Sequence, residues 1–152
     1  MQASAVMDPN PTTLKPTDSI ERAAEFIMRF RYRNLPVVDE NGCYLGMFGV
    51  NCLLKLVIPK AVLMEGGLKN VSFIHDSLRD LYERYDEARH HPISICMSHE
   101  ISPVSPDTPL VETLLQLYQT RSSIPVVEQG SCKLLGMISY WDVGQKILEA
   151  GV

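Results

Sequence analysis

The chain has 152 residues and a mass of 17.1 kDa, enough for one domain or two very small ones. With 45% hydrophobic and 21% charged residues it carries enough apolar material for a real core, which excludes extensive disorder. Its 14 basic and 18 acidic residues leave a net charge of −4 with no basic block, which argues against nucleic-acid binding.

The first ten residues, MQASAVMDPN, have neither the basic nor the apolar stretch of a signal peptide, so none is expected. A short β segment is predicted at 12–14, followed by a proline and a helix start, with Asp18 as N-cap and Glu21 closing a capping box. Apolar residues at 20, 23, 24, 27 and 28 form the stripe of a helix packed on one side. Phe26 and Phe30 lie beside that stripe and are expected to face outward, toward a subunit interface. Strands at 35–38 and 44–48 flank a turn containing Asn41-Gly42, a hairpin signal, and a second helix starts near Val50.

A longer connection runs over 57–95. Its most apolar part, within 53–64, is interrupted by Lys55, Pro59 and Lys60, so no membrane span is expected. Gly66-Gly67 marks a turn. The spacing over 73–89 predicts a helix with Leu78, Leu81, Tyr82 and Tyr85 on one face and Arg79, Asp80, Glu83 and Arg84 on the other. That helix reads either as packed on the flank of the fold or as the element that makes a dimer or meets a partner.

The second half repeats the first at a spacing of about 90 residues. A β segment is predicted at 102–104, then a helix capped by Thr108 with Pro109 in its first position and apolar residues at 110, 114, 117 and 118. Strands at 124–127 and 134–139 flank a Gln129-Gly130-Ser131 turn, and a closing helix starts near Tyr140. Pro36-Val37-Val38 matches Pro125-Val126-Val127, Gly46-Met47 matches Gly136-Met137, and Cys43 pairs with Cys132. The register slips by one residue before the Pro-Val-Val strand and recovers in the hairpin. The unit is β-α-β-β-α, present twice. At about 50 residues one unit is marginal alone, so a pseudo-twofold pair sharing one core is expected.

The anchors Leu35-Pro36-Val37-Val38-Asp39, Ile124-Pro125-Val126-Val127-Glu128 and Gly136-Met137-Ile138-Ser139-Tyr140-Trp141-Asp142 resemble the cystathionine β-synthase (CBS) domain, and two in tandem resemble a Bateman module. The resemblance implies an α/β (α+β) fold of two pseudo-twofold β-α-β-β-α repeats, at 6–57 and 95–150, packed sheet to sheet, with 58–94 as a helical connection. It implies a regulatory module, not an enzyme. Such a module binds an adenine nucleotide (AMP, ADP or ATP) or S-adenosylmethionine between its repeats, signals by conformational change to a regulated protein, and forms a homodimer. The alternative is a ligand-free structural or dimerisation module. No cofactor, nucleic acid or membrane is implied.

Carried over to this sequence, the resemblance has Asp142 holding the ribose hydroxyls and Ser139 facing the phosphates. Opposite them, Thr12 and Thr13 read the adenine edge by their backbone, and Tyr32, Arg33 and Asn34, just before Leu35-Pro36, line the base; Met137 and Pro36 complete the wall. A second, weaker site would take Ser102, Pro103, Ser122 and Ser123, but its motif departs from the family pattern, with Gly49 in place of Ser/Thr and Cys52 in place of Asp. A carboxylate suits vicinal hydroxyls because charge-assisted hydrogen bonds are strong, and a helix start suits an anion.

Ser139-x-x-Asp142 is also a capping box, a reading that stands beside the ligand reading. Arg29 and Arg31 read as solvated charges at a helix end, whereas Arg33 is open to a phosphate. His75, His90, His91 and His99 lack ligand spacing, so no metal is expected. The four cysteines form no CxxC pair. They read as reduced thiols of a cytoplasmic protein, Cys43 and Cys132 as small apolar fillers. No nucleophile motif, P-loop or dinucleotide fingerprint is present.

Overall fold

The computed structural model describes residues 1–64 and 77–151. In chain order they form α1 (Ile20–Phe30), β1 (Asn34–Val38), β2 (Tyr44–Gly49), α2 (Val50–Val57), α3 (Lys60–Met64), α4 (Leu78–Ala88), α5 (Leu110–Thr120), β3 (Ile124–Val127), β4 (Leu134–Ile138) and α6 (Tyr140–Ala150), with single 3-10 turns at Ala3–Ala5 and Ile93–Ile95. The Gly66-Gly67 turn, His75 and the first part of the expected connection helix lie outside the described residues.

The two hairpins share one register. Pro36 faces Met47 and Pro125 faces Met137, and each pairing shifts by one residue before its last pair, past Leu45 and past Leu135. The β segments expected at 12–14 and 102–104 contract to one parallel bridge each, Leu14 with Val37 and Val104 with Val126. Pro11 and Pro16 bracket the first, Pro103 and Pro106 the second, and a proline nitrogen cannot donate to a longer ladder. The bonds match across the repeats: Leu14 N–H donates to the Pro36 carbonyl at 2.9 Å, and Val104 N–H to that of Pro125 at 3.0 Å.

The helix starts differ from the sequence expectation. Ser19, not Asp18, caps α1, its hydroxyl oxygen accepting from Arg22 N–H at 3.1 Å. The Asp18 carboxylate is drawn back to Lys15 N–H at 2.9 Å, and Glu21 forms no box but pairs with Arg89 at 2.8 Å. α5 starts one residue late, with Pro109 at its N-cap position, because Thr108 Oγ1 turns back to accept from Ser105 N–H at 3.1 Å. α1 and α5 end alike, on Arg31 and Arg121 in the left-handed region with φ of 59° and 56°.

The single shared core is replaced by two clusters with crossed components. Leu14, Ile20, Ala23, Ile27, Leu35, Val37, Phe48 and Cys52 of the first repeat enclose Ile93, which precedes the second. Val104, Leu117, Ile124, Val126, Ile138 and Val143 of the second enclose Ala3 and Val6, from the segment that leads into the first. Ile93 N–H donates to the Asp18 carbonyl at 2.8 Å and Ala3 N–H to that of Thr108 at 2.9 Å. Each repeat thus seals its core with the leader of the other, since a unit of this size has too little apolar surface of its own. α4 lies along α2, with Tyr85 and Ala88 packed on the first cluster and Arg84 Nε donating to the Val57 carbonyl at 2.7 Å. Leu78 and Tyr82 of its expected apolar face stay exposed. Phe26 does not face outward either: it is half-buried and stacked on Tyr32, leaving only Phe30 exposed.

The hairpin turns meet each other. Tyr44 N–H donates to the Cys132 carbonyl at 2.8 Å and Leu134 N–H to that of Gly42 at 3.0 Å, around a bridge between Cys43 and Lys133. Cys43 and Cys132 are not apolar fillers but a disulfide, with Cα atoms 4.8 Å apart. Nor are they equivalent positions. Asp39 N–H closes the first turn on the Cys43 carbonyl and Glu128 N–H closes the second on that of Lys133, so the second turn is one residue longer. Cys52 and Cys96 are free thiols. No helix among the described residues is long and apolar enough to cross a membrane.

Candidate functional site

α6 starts as soon as β4 ends, so its first turn sits at the edge of the second hairpin. Ser139 is extended, with φ −113° and ψ 165°, as an N-cap requires, and its side-chain oxygen accepts from Asp142 N–H at 3.1 Å. Asp142 Oδ2 accepts from Ser139 N–H at 3.0 Å and from the Ser139 hydroxyl at 2.8 Å. The capping box is therefore complete. Oδ1 of the same carboxylate has no protein partner among the described residues, and Asp142 lines a cavity of about 160 Å³ with Val6, Met7, Gln145, Lys146 and Glu149. Sequence reasoning missed Lys146 and the leader residues Val6 and Met7. Lys146 was within reach, because it lies one helical turn beyond Asp142 and so on the same face. Val6 and Met7 carried no local signal, since they arrive from the opposite repeat.

The residues assigned to the opposite wall gather on the first repeat. Thr12 Oγ1 lies 3.3 Å from the Tyr32 hydroxyl, and Thr13 beside it is exposed. Tyr32 stacks on Phe26 with centroids 5.8 Å apart, which occupies one of its two ring faces. Tyr32 and Arg33 border a depression of about 270 Å³ with Ile27, Met28, Arg31 and Val50; it shares no residue with the Asp142 cavity. Two side chains cross to the second repeat: Arg33 donates to the Arg121 carbonyl at 3.1 Å, and Asn34 Nδ2 donates to Ser122 Oγ. Asn34 Oδ1 is buried without a partner among the described residues, an unmet acceptor at the junction of the repeats. Pro36 and Met137 are buried in their strands, and Asp8 of the leader bridges to Met137.

The departures at the second position have physical reasons. A side chain at Gly49 would fall on the Arg33 carbonyl oxygen and lie 2.5 Å from Asn34 Cβ, so no serine fits there. That carbonyl accepts Val50 N–H at 3.0 Å, so the first free donor of α2 already has an anion-like partner. Cys52 is buried in the first core cluster, its thiol toward the Met47 carbonyl at 3.9 Å. Ser122 is buried against Asn34, while Ser102 and Pro103 are exposed.

Burial pushes the Tyr44 phenol up to about 12 and the Cys96 thiol up to about 11. Among the described residues no group of His, Cys, Asp or Glu has the arrangement of a metal site.

The family model for the CBS domain matches residues 3–58 and again 93–149. Solved structures agree in fold. CBSX2 of Arabidopsis thaliana superposes with a TM-score of 0.72 at 18% identity over 99% of this chain and 96% of that one. The same protein in complex with AMP gives 0.72 at 21% identity, over 99% and 98%. A Vibrio cholerae protein named for acetoin utilization, AcuB, gives 0.73 at 20% identity, over 99% and 92%. The CBS pair of protein MJ0100, in complex with 5′-methylthioadenosine and S-adenosyl-L-methionine, gives 0.64 at 16% identity, over 99% and 98%. No curated protein sequence matches.

Proposed function

The chain belongs to the CBS-domain family and carries the domain twice in tandem, and from that premise we propose that it is a regulatory module sensing an adenosine-containing small molecule, not a catalyst. The observation that carries this reading is the Asp142 carboxylate. One oxygen serves the helix cap, the other is left without a protein partner among the described residues, and the residue borders a cavity that runs along the flank of α6. Such a carboxylate accepts two hydrogen bonds from vicinal ribose hydroxyls. Ser139 and the start of α6 suit a phosphate, and Lys146 adds a cation to the cavity that Asp142 lines. Thr12, Thr13, Tyr32 and Asn34 supply the base wall, with the unmet Asn34 Oδ1 as a ready acceptor for an exocyclic amine. The adenosyl group common to the ligands of CBSX2 and MJ0100 supports this ligand class.

Size supports signalling through shape. Cavities of about 160 and 270 Å³ fall below the roughly 300–1,000 Å³ of small-molecule sites, and in this reading a nucleotide binds by parting the repeats. Parting them releases Arg33 from the Arg121 carbonyl and Asn34 from Ser122, and frees the Arg33 guanidinium for a phosphate.

A homodimer completes the reading. Val111, Leu115 and Tyr118 on α5 and Trp141, Ile147 and Leu148 on α6 expose apolar surface, Trp141 to 87%. Exposed apolar surface of this kind suits a second copy of the chain. The competing reading, a structural module without ligand, draws on the completeness of the Ser139–Asp142 cap.

Melting the protein against AMP, ATP, S-adenosylmethionine and NAD separates the two. A concentration-dependent rise with an adenosyl compound is expected. No shift with any of them at millimolar concentration leaves the structural module, and turnover of a nucleotide overturns both.

A further inference from the structure

We infer that Cys43 and Cys132 form a thiol–disulfide switch that clamps the hairpin of the first repeat to that of the second. The two cysteines lie on turns that already touch. Their Cα atoms are 4.8 Å apart, and the Tyr44–Cys132 and Leu134–Gly42 main-chain hydrogen bonds, at 2.8 and 3.0 Å, hold the turns together independently of the sulfurs. The reduced pair therefore stays positioned, and its oxidation is an intramolecular step of high effective concentration. A disulfide sealed in a core would be a fixed staple. This one is open, with Cys132 exposed and Cys43 half-buried, so an incoming thiolate reaches a sulfur without unfolding the chain.

The other two cysteines do not compete. Cys52 is buried in the first core cluster, and burial pushes the Cys96 thiol up to about 11, which keeps it protonated at neutral pH. The clamp spans 89 residues of sequence and ties the repeats at the end of their hairpins, so opening it leaves the two turns held by main-chain hydrogen bonds alone. None of this depends on nucleotide binding.

The oxidant is a small-molecule disulfide such as oxidised glutathione. The thiolate of one cysteine attacks it, forming a mixed disulfide and releasing one molecule of glutathione. The thiolate of the other cysteine then attacks the protein-side sulfur, closing the Cys43–Cys132 bond and releasing the second. The protein loses two electrons and two protons, and the glutathione disulfide is reduced to two thiols; excess reduced glutathione drives the same steps backward.

The 152-residue chain, reduced and desalted, is equilibrated without denaturant in glutathione buffers of graded ratio, quenched in acid, labelled under denaturing conditions with a polymer maleimide and counted by gel shift. One reversible transition from four labelled thiols to two is expected, with the linked peptide containing Cys43 and Cys132 and with Cys52 and Cys96 unchanged. The oxidised form should melt roughly 5–15 °C above the reduced one. Cys43→Ser and Cys132→Ser should each give a single glutathione adduct and no link. The inference is overturned by four thiols at every ratio, by a link formed only in denaturant, by equal melting of the two forms, or by a native disulfide that excess dithiothreitol leaves intact.

Discussion

Replacing Asp142 by asparagine separates the two jobs of its carboxylate. In the folded chain Oδ2 receives Ser139 N–H at 3.0 Å and the Ser139 hydroxyl at 2.8 Å, while the proposed ribose contact adds charge-assisted bonds. An amide oxygen still accepts from Ser139 N–H, so Asp142→Asn retains much of the cap and should melt within a few degrees of wild type without ligand. It loses the negative charge, and charge-assisted bonds contribute about 1.5–3 kcal/mol. At about 1.4 kcal/mol per decade, AMP should bind about 10- to 150-fold more weakly. Asp142→Ala loses the cap as well, which costs about 0.5–2 kcal/mol. At about 2–4 °C per kcal/mol for a chain of this size, that lowers the melt by roughly 1–8 °C. Calorimetric titration with AMP, well below either melting transition, reads the affinity without interference from stability. An Asp142→Asn protein that binds AMP as tightly as wild type would make Asp142 a cap and nothing more.

Three further outcomes follow from the geometry. Trp141→Glu places a charge on a residue that is 87% exposed, so circular dichroism should stay native while light scattering falls from a dimer of 17.1 kDa chains to the monomer; a wild-type monomer at micromolar concentration refutes the proposed interface. Gly49→Ala drives a Cβ onto the Arg33 carbonyl and should cost about 1–3 kcal/mol in denaturant unfolding, whereas Gly144→Ala, with nothing within 4 Å, should be neutral or gain up to about 1 kcal/mol. Tyr44 keeps a buried hydroxyl without a partner among the described residues, so Tyr44→Phe should raise stability by about 1 kcal/mol. Burial lifts the Tyr44 phenol from 10.0 to about 12, so the folded state holds that proton more tightly than the unfolded chain. This contribution is complete below pH 10 and is lost as pH rises through 12; melting curves across that window should fall less steeply in Tyr44→Phe than in wild type.

The repeat was legible in the sequence because its signals are local. Pro36-Val37-Val38, Gly42 and the 20/23/27 stripe each state a strand, a turn or a buried face within a few residues. The Ser139–Asp142 pair was legible for the same reason, since a capping box spans one helical turn. What crosses the molecule was hidden. Nothing near Ala3 says that it belongs under Thr108, and nothing near Ile93 says that it belongs under Asp18, because a buried apolar residue does not name its partner. The caps failed for a smaller reason. Asp18 and Thr108 had nearer turns to close, and a side chain that satisfies a local turn is withdrawn from the helix that follows.

The unequal ends of the two repeats trace to single residues. Between the left-handed arginine that ends the first helix and the proline of the following strand, the first repeat holds one residue more than the second. That residue extends β1 so that Asn34 pairs with Gly49, and it carries the Arg33 carbonyl over the first N–H of α2. The second repeat lacks it. Its ladder starts at Ile124 with Ile138, and Ser139 remains outside, with its N–H turned to Asp142. The register is restored one turn later, where the second hairpin holds the additional residue and thereby brings Cys132 beside Cys43. One insertion therefore fills a helix N-terminus with the chain's own carbonyl. The compensating insertion supplies the partner for a cross-repeat disulfide. A duplicated fold with opposite ends specialised in this way can hold the proposed ligand chemistry at Asp142 and the proposed clamp at the hairpin turns without either occupying the place of the other.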